Sequence, residues 1–126
     1  MIALRAKELE RASRTDPSVL DPKELLAMLD CEDWSVRMHV CRMIGRVSWT
    51  AEEYLEVRDF AFREAESDNT FVRAWALDAL AWLAISDVSV QAAICAMLES
   101  AIGAGPASVR VRAREGLKRL GAAPEP

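Results

Sequence analysis

Three Val-Arg pairs divide this chain into near-equal lengths, and their spacing limits the available folds more than any other feature. Val36-Arg37, Val72-Arg73 and Val109-Arg110 place their valines 36 and 37 residues apart. Counting four, eight and eleven residues on from each valine gives Val40, Ile44 and Val47, then Ala76, Leu80 and Leu83, then Ala113, Leu117 and Leu120. At about 100° per residue these offsets share one face of a helix. No sustained period-two alternation bounded by turns is present, so strands are not expected. Self-similarity at such a period marks repeat units that bury their apolar faces by stacking on one another.

Each stripe is preceded by a second helical pattern. Leu25, Leu26, Met28 and Leu29 lie before the first stripe. Tyr54, Leu55, Val57, Phe60, Ala61 and Ala65 lie before the second, and Ile94, Met97, Leu98, Ala101 and Ile102 before the third. The unit is therefore helix A, turn, helix B, with expected repeats at 21–48, 50–85 and 87–121 in a single domain over 1–126. An extra amphipathic helix is expected at 2–14, with Ile2, Ala6 and Leu9 on one side. From Phe71 to Leu83 only Arg73 and Asp78 are charged, which predicts that the middle B helix is buried almost all round. The last B helix pairs its stripe with Arg110, Arg112, Arg114, Glu115, Lys118 and Arg119, as expected of a terminal cap with a polar outer face.

Helix starts are encoded locally. Asp21-Pro22 with Glu24 supplies an N-cap, a proline at the first helical position and a carboxylate near the positive dipole end. Thr50 with Glu53 forms a candidate capping box, with Trp49 placed to staple onto Tyr54. Gly105-Pro106 opens the last helix, Gly103 and Gly121 read as helix stops, and residues 122–126 read as a frayed tail.

Composition narrows the function classes. A chain of 126 residues that is 52% apolar can bury a core and does not read as disordered. Its net charge of −4 argues against non-specific nucleic-acid binding as the main role. Charges appear too early after Met1 for a secretory leader, and no apolar run is long enough to span a bilayer. Cys31, Cys41 and Cys95 read as reduced thiols of a cytoplasmic protein. With His39 the sole histidine and no CxxC spacing, neither a metal site nor a cofactor is expected. No phosphate-binding loop, dinucleotide fingerprint, HExxH or GxSxG motif occurs, and a dyad of His39 with Cys41 is separated by the helical turn. No catalytic residue is assigned, and the chain reads as a binder before an enzyme.

The run Asp33-Trp34-Ser35-Val36-Arg37, and again Asn69-Thr70-Phe71-Val72-Arg73-Ala74-Trp75-Ala76-Leu77-Asp78-Ala79-Leu80, resembles the start of the second helix of HEAT repeats. The resemblance covers about residues 22 to 120. It implies an all-α fold: a short right-handed α-α superhelix of three helical hairpins plus the N-terminal helix. It implies a protein-interaction scaffold. It also implies that Arg37 pairs with Asp33 and Arg73 with Asn69, a ladder that Pro106 interrupts at Arg110.

A second stripe lies three, six and ten residues past each valine. It comprises His39, Arg42 and Arg46, then Trp75, Asp78 and Trp82, then Arg112, Glu115 and Arg119. In a stack of this kind the B helices line one surface, so the rows would form a groove with two tryptophans between basic ends. Tryptophan and arginine are enriched where binding energy concentrates. The candidate partner-binding residues are therefore His39, Arg42, Arg46, Trp75, Asp78, Trp82, Arg112 and Arg119. Each has a plainer reading: indoles packed between repeats, arginines on a solvated face, a histidine with no special role, and Asp78 in an ion pair with Arg42, Arg112 or Arg73. The A helix around Glu52, Glu53, Glu56, Asp59, Glu64 and Glu66 is acidic, supported by a pair such as Asp59/Arg63, so the two faces are expected to differ in potential. A protein or peptide is the expected partner. A nucleic-acid binder or repair protein similar to alkylpurine DNA glycosylases, which combine tryptophans with an aspartate, is the second reading. Self-association into a homo-oligomer is the third.

Overall fold

A computed structural model of the chain describes residues 1–122. It holds helices α1 (Ile2–Ser13), α2 (Pro22–Leu26), α3 (Trp34–Met43), α4 (Ala51–Glu64), α5 (Thr70–Ser86), α6 (Val88–Ala104) and α7 (Ala107–Ala122), with 3-10 turns at Pro17–Val19 and Ile44–Arg46. No strand occurs among the described residues. Of the expected tail, Ala122 instead closes α7 and residues 123–126 lie outside the described residues.

The helices form two layers. In the B layer, α1 packs on α3, α3 on α5 and α5 on α7. In the A layer, α2 packs on α4, α4 on α5, and α6 on both α5 and α7. The N-terminal helix thus serves as a fourth B-layer member, covering the side of α3 that no preceding repeat covers. The core runs between the layers. Val36, Val40 and Ile44, then Val72, Ala76, Leu80 and Leu83, then Val109 and Ala113 are buried, as the stripe requires. Val47, Leu117 and Leu120 are only partly buried, because the stack ends or the helix turns away there. Ile2 and Leu55 are exposed, contrary to expectation: Ile2 lies in the first turn of α1, and Leu55 sits between the acidic residues of α4.

The caps follow the sequence. Asp21 accepts from the Lys23 N–H with Pro22 opening α2, and Thr50 and Glu53 exchange side-chain and backbone hydrogen bonds in a capping box on α4. Asp33 caps α3, Asp87 caps α6, and Asn69 accepts from two backbone N–H groups of α5. The Trp49 indole donates to the Ile44 carbonyl at 3.1 Å, a tie across the turn before α4.

Three local expectations are corrected. Gly103 and Gly121 do not stop helices. Both lie within them, and no described glycine has positive φ. The expected Arg–acid ladder is absent because Asp33 and Asn69 use their side-chain oxygens as caps. Arg37 donates instead to the carbonyls of Cys31 and Glu32 and pairs with the buried Glu64 at 3.0 Å, while Arg73 donates to the Ser67 carbonyl. Arginine after the valine therefore ties the A-to-B turn to the B helix in copies one and two. On α4, Asp59 lies 3.9 Å from Arg58, and Arg63 reaches Asp30 and Glu64, so the Asp59/Arg63 pair is not formed.

Candidate functional site

The second stripe converges along the B layer. Trp75 is half-buried near the middle of α5. The Arg42 guanidinium from α3 lies 4.2 Å from its ring centroid, and that of Arg112 from α7 lies 4.8 Å from it. Two cations from the flanking helices therefore share one indole, an arrangement favoured by the ring quadrupole. Two rows along, Arg119 lies 4.1 Å from the centre of the Trp82 ring, and it pairs with Asp78 at 3.1 Å. Asp78 is 5% exposed, and its partner is Arg119 rather than Arg42, Arg112 or Arg73. The rows match between Trp75 and Arg112 and between Trp82 and Arg119, whereas position six of α3 meets position three of α5, and position six of α5 meets position ten of α7. The indole of Trp82 is 43% exposed and lies so near Gly45 that a Cβ there would come 2.6 Å from Cγ. Gly45 thus lets this indole approach the backbone after α3.

At the α3 end the central residue is one that no sequence pattern singles out. Glu10 of α1 is 2% exposed, and its carboxylate meets Arg42 Nε at 2.8 Å and Arg14 Nη2 at 2.7 Å. His39 Nδ1 stands 3.6 Å away, too far for a hydrogen bond. Burial holds the His39 pKa below its ordinary value despite Glu10. Arg46 donates to the Ser13 hydroxyl at 2.8 Å and to the Glu10 carbonyl at 3.3 Å, so it ties the end of α1 to the turn that follows α3. Burial, opposed by Glu10 and reinforced by Arg14, Arg46 and Arg112, pulls the Arg42 pKa below its usual value. A hollow of about 520 Å³ opens beside these groups, lined in part by Lys7, Arg11, Arg14, His39 and Arg42.

Of the eight candidate residues, Arg42, Trp75 and Arg112 form one cluster, and Asp78, Trp82 and Arg119 form another. His39 and Arg46 serve the contact between α1 and α3. Two features escaped sequence reasoning. One is Glu10. The other is an exposed aromatic pair, Trp34 and Phe71, stacked with centroids 6.2 Å apart at the starts of α3 and α5. Both lie one or two residues before a repeat valine, so the period could have aligned them.

Charge is sorted between the layers. The B-layer helices α1, α3, α5 and α7 hold eleven Lys and Arg against four Asp and Glu, whereas α2, α4 and α6 hold three against seven. A chain of net charge −4 thus carries a strongly basic layer. No group of three or more His, Cys, Asp or Glu placed to hold a metal occurs among the described residues, and no described helix is long and apolar enough to cross a membrane.

The sequence profile of the family described as HEAT repeats matches residues 22–118. Neither the curated proteins nor the solved structures give a match.

Proposed function

Since the chain belongs to the HEAT-repeat family, whose hairpins generally mediate protein binding, we propose that it is a scaffold that holds an acidic segment of a protein partner on its B-helix face. The observation that carries this reading is the Arg–Trp contact made twice: Trp75 with both Arg42 and Arg112 over its ring, and Trp82 with Arg119 over its own. Stacking holds the guanidiniums in place, so binding costs less side-chain entropy, and the indoles offer flat area beside them. The basic balance of the layer selects acidic partners and repels basic ones.

The nucleic-acid reading draws on the same arginines. Its repair-enzyme form also needs an aspartate free to act on a base, whereas Asp78 is buried against Arg119.

A photoreactive phenylalanine placed at Trp82, and separately at Glu56 on the acidic outer helix, tests the assignment. Partners captured from the source cell should crosslink from position 82 and not from 56. Equal crosslinking from both positions, or crosslinking from 56 alone, removes the B face as the binding surface.

A further inference from the structure

Resting on that reading, we infer that Arg42, Trp75 and Arg112 form a binding site for a phosphoryl group carried by the protein partner. Arg112 reaches the indole from α7 yet has no carboxylate within ion-pair distance among the described residues. Arg42 spends Nε on Glu10, which leaves its two terminal nitrogens without a hydrogen-bond partner among the described residues. Two guanidiniums that repel one another are therefore held against a single ring, with Arg14 and Arg46 close enough to add to the repulsion. The two carboxylates buried in the B layer are already paired, Glu10 with Arg14 and Arg42 and Asp78 with Arg119.

An anion that bridges the two guanidiniums would relieve this repulsion. Fixed guanidinium forks offer parallel N–H donors, the geometry that oxyanions accept in pairs. A phosphoryl group carries nearly two charges and three acceptor oxygens, which matches two arginines better than one carboxylate does. A nucleic-acid backbone is the poorer fit. Each of its phosphodiesters carries one charge and two free oxygens, fewer of both than a phosphoryl group on a side chain.

Binding of a fluorescent Gly-Ser peptide bearing one phosphoserine to the full chain, at fixed ionic strength, tests the site. Its serine and glutamate counterparts and a single-stranded oligothymidine serve as the comparison probes. The phosphopeptide should bind saturably and shift the Trp75 indole N–H resonance, with the serine and glutamate peptides weaker by about tenfold or more. Arg112→Gln should lose about tenfold in affinity, Arg112→Lys should lose less, and Arg110→Gln on the exposed side of α7 should lose nothing. The inference is overturned if the three peptides bind alike, if the shifts map away from Trp75, or if oligothymidine binds more tightly. The resonance shifts need no variant, so misfolding of Arg112→Gln leaves the test intact. Crosslinking confined to position 82, with no preference for the phosphopeptide, would remove the phosphoryl site and leave the scaffold reading standing.

Discussion

Helices α5 and α7 carry the same apolar stripe yet live in different surroundings. In α5, ten residues are buried, from Val72 to Ala84, because α3 covers one flank, α7 the other, and α4 and α6 the A-layer side. In α7 the stripe begins as firmly, with Val109 and Ala113 buried, then loosens to a half-buried Leu117 and Leu120. The difference teaches that a repeat pattern fixes which face turns inward, while the number of neighbours fixes how much that face contributes. It also explains the charges: α7 can carry five Lys and Arg because its outer side meets water, whereas α5 carries one arginine and one buried aspartate.

The largest expected effect compares equivalent leucines. Leu80→Ala should destabilise by about 2–5 kcal/mol, since Leu80 is fully buried and the cavity has little room to collapse. Leu117→Ala should cost about 1 kcal/mol, because the side chain is already part-solvated. Urea melts of both variants decide the matter, and equal shifts in midpoint would break the distinction between a central and a terminal helix.

Next comes the tie between the two helices. Asp78→Ala leaves the Arg119 guanidinium without its carboxylate at a largely buried position, and about 2 kcal/mol should be lost, moderated by the solvent that still reaches Arg119. Trp82 fluorescence should change as well, since Arg119 lies over that ring. A variant with wild-type stability and emission would show that the helices do not depend on this pair.

A smaller effect separates the helix starts. Asn69→Ala removes a side chain that caps two N–H groups of α5 and should cost about 1 kcal/mol at pH 7 and in acid alike. The matching cap of α3, Asp33, titrates. Its carboxyl sits below the ordinary aspartate value because the hydroxyl and backbone N–H of Ser35 donate to it. A lowered folded-state pKa means that its contribution is present above the ordinary aspartate range and fades as acid protonates the folded carboxyl. Asp33→Asn should therefore flatten the stability profile below about pH 4 and leave it little changed at neutrality. A steeper acid limb in Asp33→Asn would reverse the sign of this account.

The smallest effect concerns the end of α7. Gly121→Ala meets no atom within 4 Å, and its backbone is helical, so stability should rise by about 0.5 kcal/mol. A loss measured by thermal melting would restore the reading of Gly121 as a helix stop.

Much of the fold was legible because stacking demands periodicity. The core positions at Val36, Val72 and Val109, the two-layer alternation, the polar outer side of α7 and the caps at Asp21 and Thr50 all follow from spacing and side-chain chemistry. The candidate face was legible as a set of rows, since offsets of three, six and ten share a helical flank. Its wiring was not. Asp78 had arginines available on three helices, and only the relative slide of α5 and α7 selects Arg119. Glu10 looked like any surface glutamate of an amphipathic helix, and its burial depends on α1 joining the B layer. The arginines after each valine took backbone carbonyls as partners because Asp33 and Asn69 were already committed as caps. Gly103 and Gly121 misled because glycine marks a helix end only where the chain turns left-handed.

The sorting of charge between layers gives the molecule a pronounced electric dipole, with its positive pole on the Arg–Trp face. In the field of an anionic partner such a body rotates as it diffuses, arriving with that pole foremost even though its net charge is repulsive. Encounter rates should then be fastest at low ionic strength, where the screening length is comparable to the molecule, and fall as added salt hides one pole from the other's surroundings.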